Sequence, residues 1–515
     1  MNPNIAERLL ERAALHPDRP AIVEPGARIL FGELAARVAA FSAELRRRGV
    51  RPGERVLLFV PMSVRLYVTL LGTLHAGAVA VFVDAWANRR RLEAAVHAAA
   101  PRAFVGTLKA HLLRLVSPAI REIPVQVVAS RRVGAGGREK SDSPAAADAD
   151  APALITFTTG STGRPKAAAR SHGLLWAQHE ALAAHLGLDE SDVDMPTLPV
   201  FVLNNLACGV TSVLPDFDPR RPAEIDPAAV LDQARREGAT ASSGSPAFYE
   251  KLCGWCTARG ERLPLRVLFT GGAPVLPPLA RLLASLEGTA AHVVYGSTEA
   301  EPIAGITARA MVQALDEHGT RGGLCAGLPV PQIDLRIVRA HDGPLEPGPA
   351  GWTGWELPPG EVGEIVVAGP HVLPAYLDDP EADRANKIRD DARVWHRTGD
   401  GGRLDGGGRL WLMGRVKQRV RRDGQTWWPL PAEIAAMEEP GVAHAAYLGI
   451  ADPGHGERAV LCVETAGEAL SPERRESLAR RVAPWPVDEL VGLPRIPRDP
   501  RHASKTDAEA LRARL

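Results

Sequence analysis

The sequence TTGSTGRPK, residues 158–166, follows an apolar run and combines the residue types that can hold a polyphosphate. Its glycines permit tight turns that aim backbone N–H groups at a ligand, its hydroxyls add donors, and Lys166 adds a mobile positive charge. It is not a Walker A loop, because Gly163 is followed by Arg164, Pro165 and Lys166 rather than by the required Gly-Lys-Ser/Thr spacing. An isolated cluster of this kind also occurs in ordinary strand-to-helix turns, so the loop alone leaves both interpretations open.

Other residues that could bind a metal or take part in catalysis give weaker signals. Cys253 and Cys256 have the spacing of a redox or metal pair, but no second pair and no thioredoxin-like pattern accompanies them. His179 and His185 lie too far apart for the i, i+4 spacing of a zincin helix. We therefore expect no metal or redox site at the cysteines and a plain helix face at these histidines. His172 is expected to be structural or to orient the loop.

Strand-length and helix-length patterns alternate along the chain and must position these groups. Apolar runs such as RVLLFV, ALITFTT and GEIVVAG alternate with helical stretches such as AAVLDQARREG, which predicts an α/β fold with buried sheets. Residues 66–86 resemble a membrane span, but His75, two glycines and the run AVAVFVD predict a helix followed by a buried strand. Residues 131–150 lack periodicity and predict a surface loop.

The length of the chain predicts more than one domain. At 515 residues, a size of roughly 100 to 200 residues per domain suggests about two to four domains. A short α+β segment begins near GRVKQRV and contains the strand-like runs AYLGIAD and RAVLCVETAG and a last helix, TDAEALRARL. We therefore expect a large multi-sheet N-terminal domain, residues 1–415, and a smaller C-terminal domain, residues 416–515.

Composition argues for small-molecule partners. Acidic and basic side chains balance at 61 each, so no overall field directs the protein to nucleic acid or to an anionic membrane. The five cysteines are scattered and odd in number, which does not indicate a disulfide framework. The N-terminal residues carry charges throughout and have no apolar signal region. We expect a cytoplasmic protein without a membrane span.

Several further motifs occur in a fixed order along nearly the whole chain. They are TGGAP (270–274), VYGSTEAEP (294–302), HRTGD (396–400), WLMGRVKQRV (411–420) and RHASKTD (501–507). Together with the loop at 158–166, they resemble the adenylate-forming, AMP-binding superfamily, which includes acyl-CoA synthetases, peptide-synthetase adenylation domains and firefly luciferase. The resemblance implies a C-terminal domain that rotates between two half-reactions, with ATP and Mg²⁺ as cofactors.

The resemblance also implies a role for each matching residue. Thr298 would contact the α-phosphate, Glu299 would hold Mg²⁺, and Lys505 would be the catalytic lysine that reaches the site during adenylation. Lys417 occupies the hinge position. The residues that would hold the β- and γ-phosphates are Thr158, Thr159, Gly160, Ser161, Thr162, Gly163 and Lys166. Adenine would be enclosed by Gly271, Gly272, Ala273, Pro274, Tyr295 and Gly296, with the tyrosine ring stacked on the base. The ribose would be bound by Asp400 and Arg415.

The segment expected to form the acyl pocket departs most clearly from the pattern of acyl-CoA synthetases. Where acyl-CoA synthetases carry a Pro-x-Phe-His-like element, this chain has an apolar wall that suits an alkyl chain and offers no charge for an amino-acid ammonium. The predicted pocket residues are Val200, Phe201, Val202, Leu203, Gly244 and Ser245. This segment, with SGSPAFYEKL and DPRHASKTD, looks most like the β-lactone synthetases of bacterial long-chain olefin biosynthesis. That resemblance implies activation of a long-chain β-hydroxy fatty acid, followed by attack of the β-hydroxyl on the activated carbonyl.

Two other functions stay open at this level. A fatty acyl-CoA synthetase or acyl-AMP ligase would pass the acyl group to CoA or to a carrier protein, through a tunnel lined by the segment after the hinge. Trp427 and Trp428 in that segment could obstruct a pantetheine arm or pack between the domains. A non-catalytic ATP-binding protein is disfavoured by the complete motif set. Docking of the N-terminal apolar helices with other enzymes of a lipid or olefin pathway is a further hypothesis.

Overall fold

Three β-sheets with flanking helices organise the part of the chain that the structure describes. A computed structural model describes residues 3–83, 89–134, 143–159, 165–218, 221–348, 351–390, 393–465, 470–498 and 506–515. The predicted α/β class is confirmed.

The strands begin and end close to the predicted apolar runs. They are β1 Pro20–Glu24, β2 Ala27–Leu30, β3 Arg55–Phe59, β4 Val79–Phe82, β5 Ala103–Gly106, β6 Val125–Val128, β7 Pro152–Thr159, β8 Pro165–Ser171, β9 Val193–Pro196, β10 Thr211–Val213, β11 Ala241–Gly244, β12 Val267–Gly271, β13 Ala290–Ser297, β14 Ala300–Thr307, β15 Leu324–Pro329, β16 Asp334–Val338, β17 Gly363–Ala368, β18 Lys387–Arg389, β19 Val394–Leu404, β20 Leu410–Arg415, β21 Val420–Arg422, β22 Gln425–Trp427, β23 His444–Asp452, β24 Gly456–Glu464 and β25 Glu489–Leu493.

The helices cover the sheets and connect them. They are α1 Glu7–Leu15, α2 Phe31–Arg47, α3 Val64–His75, α4 Arg89–Ala99, α5 Leu113–Val116, α6 Pro118–Arg121, α7 His172–Leu186, α8 Pro199–Cys208, α9 Pro227–Arg236, α10 Pro246–Arg259, α11 Pro277–Ala284, α12 Ala308–His318, α13 Pro380–Asn386, α14 Pro429–Met437, α15 Pro472–Val482 and α16 Ala508–Arg512.

The largest sheet supplies the edge on which most of the candidate site is built. Its order is β16-β17-β19-β20-β15-β14-β13-β12-β11-β9-β10-β1-β2, with β18 beside β19. Strands β9, β11, β12 and β13 are parallel, so their carboxyl ends meet at one edge, and β13 turns back into the antiparallel β14. Ligands of open α/β sheets bind at such an edge.

The other two sheets lie at opposite ends of the sequence. The first has the order β6-β5-β3-β4-β7-β8, and its antiparallel strands β7 and β8 flank the predicted phosphate loop. The second has the order β22-β21-β24-β23, with β25 beside β24. Strand β23 includes the strand predicted at 446–452, and β24 matches the strand predicted at 458–467 as far as Glu464. The last helix is shorter than predicted, because it begins only after Asp507, whose side chain accepts a hydrogen bond from the Ala510 N–H.

The apolar segment at 66–86 forms a helix and a strand, as predicted, in its described part. Helix α3 packs on α2, and β4 lies between β3 and β7 inside a sheet. Among the described helices, none is both long and apolar enough to cross a bilayer.

Helix α14 contributes to two cores at once. Leu430 and Ile434 pack into the hydrophobic cluster of the large sheet, whereas Ala432 and Ala436 pack into the cluster of the C-terminal sheet. Residues on opposite faces of one helix thereby connect the two sheets.

Candidate active site

The carboxyl ends of the parallel strands form one wall of the candidate site. Gly244 is level with Thr270, and Gly271 is level with Val294, so the predicted pocket and adenine segments lie side by side. A Cβ on Gly271 would lie 2.5 Å from the Val294 carbonyl oxygen, so this close strand approach requires glycine. The register therefore brings together residues 244–245, 271–274 and 295–296.

Four buried hydroxyl oxygens along this wall have no hydrogen-bond partner among the described residues. They belong to Thr197, Ser245, Thr270 and Ser297. Buried polar groups in folded proteins are nearly always paired, so a cluster of unpaired hydroxyls indicates the place of a polar ligand. Of the four, only Ser245 was among the residues predicted from the sequence. The available signal was a small hydroxyl residue at or just after the carboxyl end of each strand.

Tyr295, Asp400 and Arg415 form one connected group beside this wall. The Tyr295 hydroxyl donates to Asp400 Oδ2 at 2.8 Å, and Arg415 Nε lies 3.1 Å from Asp400 Oδ1. Asp400 and Arg415 are paired across β19 and β20, which fixes the ion pair. Burial raises the pKa of Tyr295 well above its ordinary value, so the hydroxyl stays protonated and donating. The structure thus brings Tyr295, assigned to adenine, together with the two residues assigned to ribose.

Glu299 lies in the turn between β13 and β14 and is held from two sides. Its carboxylate Oε1 accepts a hydrogen bond from the Tyr376 hydroxyl at 2.9 Å, and its backbone oxygen accepts one from the Leu373 N–H at 2.7 Å. The preceding Thr298 carbonyl accepts a 2.6 Å hydrogen bond from buried Arg170, which also donates to Thr156 on β7. Arg170 therefore joins the two sheets at the position of Thr298 and Glu299.

Two lysines converge on the ring of Tyr376. Lys166 Nζ lies 5.2 Å and Lys387 Nζ 5.1 Å from the ring centroid, within the range of cation–π attraction. Lys387 is buried, donates to the Leu373 carbonyl and lies 3.3 Å from His396 Nδ1. Burial lowers the pKa of Lys166, opposed by the nearby charge of Glu299, and lowers the pKa of Lys387 to about 7. The predicted phosphate-binding lysine and metal-binding carboxylate thus belong to one cluster.

Three residues of this site were not predicted from the sequence: Tyr376, Lys387 and Arg170. Tyr376 and Lys387 lie between two motifs, and nothing in their local sequence shows that they meet Glu299. Arg170 gave a signal, because it is a charged residue within the otherwise apolar strand AAARS. A buried arginine requires partners, so this position could have been identified as a connection inside the fold.

Some predicted residues lie outside the described part of the chain. These are Gly160, Ser161, Thr162, Gly163 and Lys505, while the backbone of Thr158 and Thr159 forms the end of β7. The described residues that flank Lys505 have partners: Arg498 and Thr506 form an isolated bridge, and His444 Nε2 lies 3.0 Å from Thr506 Oγ1. Lys417 lies in a 3₁₀ turn after β20, and its charge contributes to the lowered pKa of Lys166.

The predicted apolar wall forms the first turns of helix α8. Val200 and Leu203, three residues apart, line a cavity of about 80 Å³ together with leucines of α3 and α7. Phe201 and Val202 are buried instead in two neighbouring hydrophobic clusters. The helical period explains this division, because positions i and i+3 share a face that i+1 and i+2 do not. Gly244 packs against Thr197, where a Cβ would lie 2.8 Å from the hydroxyl oxygen.

The two tryptophans after the predicted hinge are packed side chains. The Trp428 ring lies directly against Gly401, where a Cβ would be 1.9 Å from a ring carbon, and clusters with Met413 and Val416. Trp427 contacts Trp485 edge to face at 6.2 Å between centroids, and Trp485 Nε1 donates to the Trp428 carbonyl. Trp428 therefore packs between the large sheet and the C-terminal sheet, whereas Trp427 packs within the hydrophobic cluster of the C-terminal sheet.

The cysteines and histidines that gave weaker signals in the sequence have surroundings that explain them as structural residues. Cys253 and Cys256 are buried free thiols in the apolar core around α10, and burial raises the pKa of both. His172 Nδ1 accepts a hydrogen bond from the Ile5 N–H, and burial lowers its pKa to about 4. His179 lies 2.8 Å from Asn204 Oδ1. Within the described residues, no group of three or more His, Cys, Asp or Glu side chains could hold a metal ion.

Residues 9–377 match the family model described as AMP-binding enzyme. The chain belongs to this family. Within the AMP-binding enzymes it is 35% identical to the olefin β-lactone synthetase of Stenotrophomonas maltophilia, over 99% of this chain and 97% of the relative. It is 30% identical to the feruloyl-CoA synthase of an Amycolatopsis species, over 94% and 93% of the two chains.

Solved structures agree with this membership. The crystal structure of ATP-bound MatB from Rhodopseudomonas palustris has a TM-score of 0.83 at 25% identity and covers 100% of this chain and 99% of that chain. The AMP-binding family and the ligase class predicted from the motifs are therefore confirmed, and the chain is an adenylate-forming ligase.

Proposed function

We propose that this AMP-binding enzyme uses ATP and Mg²⁺ to activate a long-chain β-hydroxy fatty acid and then closes it to a β-lactone. The observation that carries the proposal is similarity over 99% of the chain to two olefin β-lactone synthetases, at 35% and 34% identity. The apolar cavity beside α8 agrees with an alkyl substrate.

In the first step, a carboxylate oxygen of the acid bonds to the α-phosphorus of ATP while the bond to pyrophosphate breaks. Lys166 would hold the β- and γ-phosphates, Thr298 would contact the α-phosphate, and Lys505 would place its ammonium where charge develops. Tyr295, Asp400 and Arg415 would hold the nucleoside. The domain that begins at about residue 416 would bring Lys505 into place by turning at Lys417.

The surroundings of Glu299 fit a magnesium ion. Oε1 accepts the Tyr376 hydroxyl, and Oε2 has no partner among the described residues. Magnesium commonly binds one or two carboxylates together with substrate phosphates, so a single carboxylate is sufficient. When bound there, the ion would supply positive charge to the phosphates, and this chain's Tyr376 would keep the carboxylate oriented.

In the second step, the β-hydroxyl oxygen bonds to the activated carbonyl carbon, its proton is lost, and the bond from that carbon to AMP breaks. The product is lighter than the acid by one water. Attack within one molecule benefits from enforced proximity, and an apolar, enclosed site protects the acyl-adenylate from hydrolysis.

A second candidate function is thioester formation. Since both tryptophans after the hinge pack against neighbouring side chains, they give no argument against a pantetheine arm. The 30% identity to a feruloyl-CoA synthase favours this alternative. CoA or a carrier-protein thiol would then replace the β-hydroxyl as the nucleophile.

Acid-dependent release of pyrophosphate tests the step that both functions share. Purified enzyme with Mg-ATP should release pyrophosphate with long-chain β-hydroxy acids and much less with amino acids. If the protein binds ATP but no acid in a panel of fatty, aromatic and amino acids causes pyrophosphate release, that result would contradict adenylation and favour a non-catalytic ATP-binding protein.

A further inference from the structure

The segment between β5 and β6 exposes an unusual row of leucines. Leu108, Leu112 and Leu115 are 74%, 62% and 77% exposed, and Val116 next to them is 54% exposed. They follow one another along a turn at Leu108, the 3₁₀ turn Ala110–Leu112 and the short helix α5. Large side chains of this kind are normally directed to a core, so four exposed ones within nine residues indicate a binding surface.

The helical turn is ordered from its inner side. The 3₁₀ turn Ala110–Leu112 continues directly into α5, where Ala110 and Leu113 pack against the hydrophobic cluster of the first sheet. His111 Nε2 lies 3.0 Å from the Val127 carbonyl of β6. The exposed leucines therefore project from a supported element whose apolar residues occupy both faces.

Basic residues accompany the leucines. Lys109, Arg114 and Arg121 lie in residues 107–121, which contain no acidic residue, and Glu122 follows. Arg131 and Arg132 are exposed after β6. Helix α4, which contacts α6, adds exposed Arg90 and a paired Arg89 and Glu93. The surface thus combines aliphatic side chains with an excess of positive charge, although the whole chain is neutral.

We propose that this surface, the exposed leucines with Lys109, Arg114 and Arg121, is a peripheral docking site for an anionic lipid bilayer. Aliphatic side chains that enter the headgroup region beside basic residues are the pattern of interfacial binding. A protein partner fits less well, because protein interfaces are rich in aromatic residues and poor in lysine, and leucine is under-represented among their hot spots. The exposed apolar residues of this segment are leucine and valine.

Binding to vesicles tests the proposal without ATP or acid, so its outcome is independent of the proposed function. The full chain is sedimented with vesicles of phosphatidylcholine alone and of phosphatidylcholine with phosphatidylglycerol. We expect binding to the anionic vesicles that weakens as salt screens the charges. Neutralising Lys109 or Arg121 to Gln should weaken binding on the order of fivefold for each residue.

For the double variant Leu112→Glu/Leu115→Glu, we expect most of the vesicle-bound fraction to be lost. The matched control is Leu15→Glu, which changes a 64% exposed leucine on α1 and should bind like the unaltered protein. Equal unfolding midpoints would show that the variants are folded. Absence of wild-type binding to anionic vesicles at low salt, equal binding of the double variant, or an equal loss in the control would each overturn the proposal.

Discussion

Tyr376 is the side chain around which the charges of the candidate site are arranged. Its hydroxyl holds the Glu299 carboxylate, and its ring lies near the ammonium groups of Lys166 and Lys387. A buried ammonium group beside a half-buried one is costly unless anions compensate the charges. Glu299 and Asp383 supply part of this compensation to Lys387. A bound polyphosphate would supply more, which agrees with the nucleotide role proposed for the cluster.

Substitution of Lys505 by Ala should abolish most adenylate formation. Losing one preorganised charge contact of this kind typically costs about 10²- to 10³-fold in rate, or about 2.7–4 kcal/mol. Pyrophosphate release measures the loss, and equilibrium dialysis should show that ATP binding largely survives. The control is Lys251→Ala, because Lys251 is exposed on α10. Undiminished pyrophosphate release by the Lys505 variant would refute the catalytic role.

The sequence identified site residues where a motif names them and missed those that act across long separations. Tyr295, Asp400 and Arg415 were assigned by resemblance, and the structure brings them together. Tyr376 lies 77 residues from its partner Glu299, and Arg170 lies 128 residues from Thr298. Such pairings depend on how the sheets meet, which local patterns do not specify.

Helix α8 shows how an element decides which of its apolar residues are available to a ligand. The run Val200 to Leu203 is uniformly apolar in sequence, but only Val200 and Leu203 face the cavity. Strand and helix boundaries elsewhere were predictable, because the spacing of apolar residues shows the type of element and flanking Gly or Pro residues mark its ends. Here the run contains no polar residues, so the sequence does not show which of its apolar side chains face the cavity. The packing of neighbouring helices decides this.

Substitution of Leu203 by Phe should restrict the length of the accepted acid. The added ring would occupy the cavity, and each excluded methylene is worth about 1–3 kcal/mol, so long-chain acids should lose at least about tenfold in kcat/KM. Shorter acids should be less affected, as measured by pyrophosphate release across a chain-length series. Leu328→Phe, at a 58% exposed leucine, is the matched control. An equal loss for long and short acids would contradict this location of the acyl chain.

Helix α14 carries a carboxyl group that should make stability depend on pH. Glu433 Oε1 accepts the Tyr447 N–H at 3.1 Å, and burial raises the pKa of Glu433 from its ordinary value to about 7. Between the unfolded pKa near 4.3 and about 7, the native carboxyl keeps a proton that the unfolded chain has lost. Stability from this group therefore falls as pH rises through this window and stays lower above it.

The variant Glu433→Gln should remove this dependence. Relative to wild type, we expect it to be more stable at pH 8 by roughly 1–3 kcal/mol, since one pKa unit corresponds to about 1.4 kcal/mol. At pH 4 the advantage should disappear. Chemical unfolding at both pH values measures the difference, and Glu438→Gln, exposed at the end of the same helix, is the control. A constant difference at both pH values would contradict the assignment.

At the scale of the whole molecule, the candidate site lies where separate parts of the fold meet. The first sheet supplies Lys166 and Arg170, the large sheet supplies Tyr295, Glu299 and Asp400, and Arg170 joins the two sheets. The C-terminal sheet reaches the large sheet through α14 and the Trp428 ring. Function therefore depends on the relative placement of several layers, which explains why the fold class was predictable and the assembled site was not.

Mass-spectrometric analysis of the product tests the central claim most directly. The purified protein is incubated with Mg-ATP and a long-chain β-hydroxy fatty acid, with and without CoA. The lactone proposal predicts AMP and a product lighter than the acid by one water, formed equally in both reactions. An acyl-CoA that forms only when CoA is present, with no dehydrated product, would contradict the lactone proposal and make the protein a fatty acyl-CoA ligase.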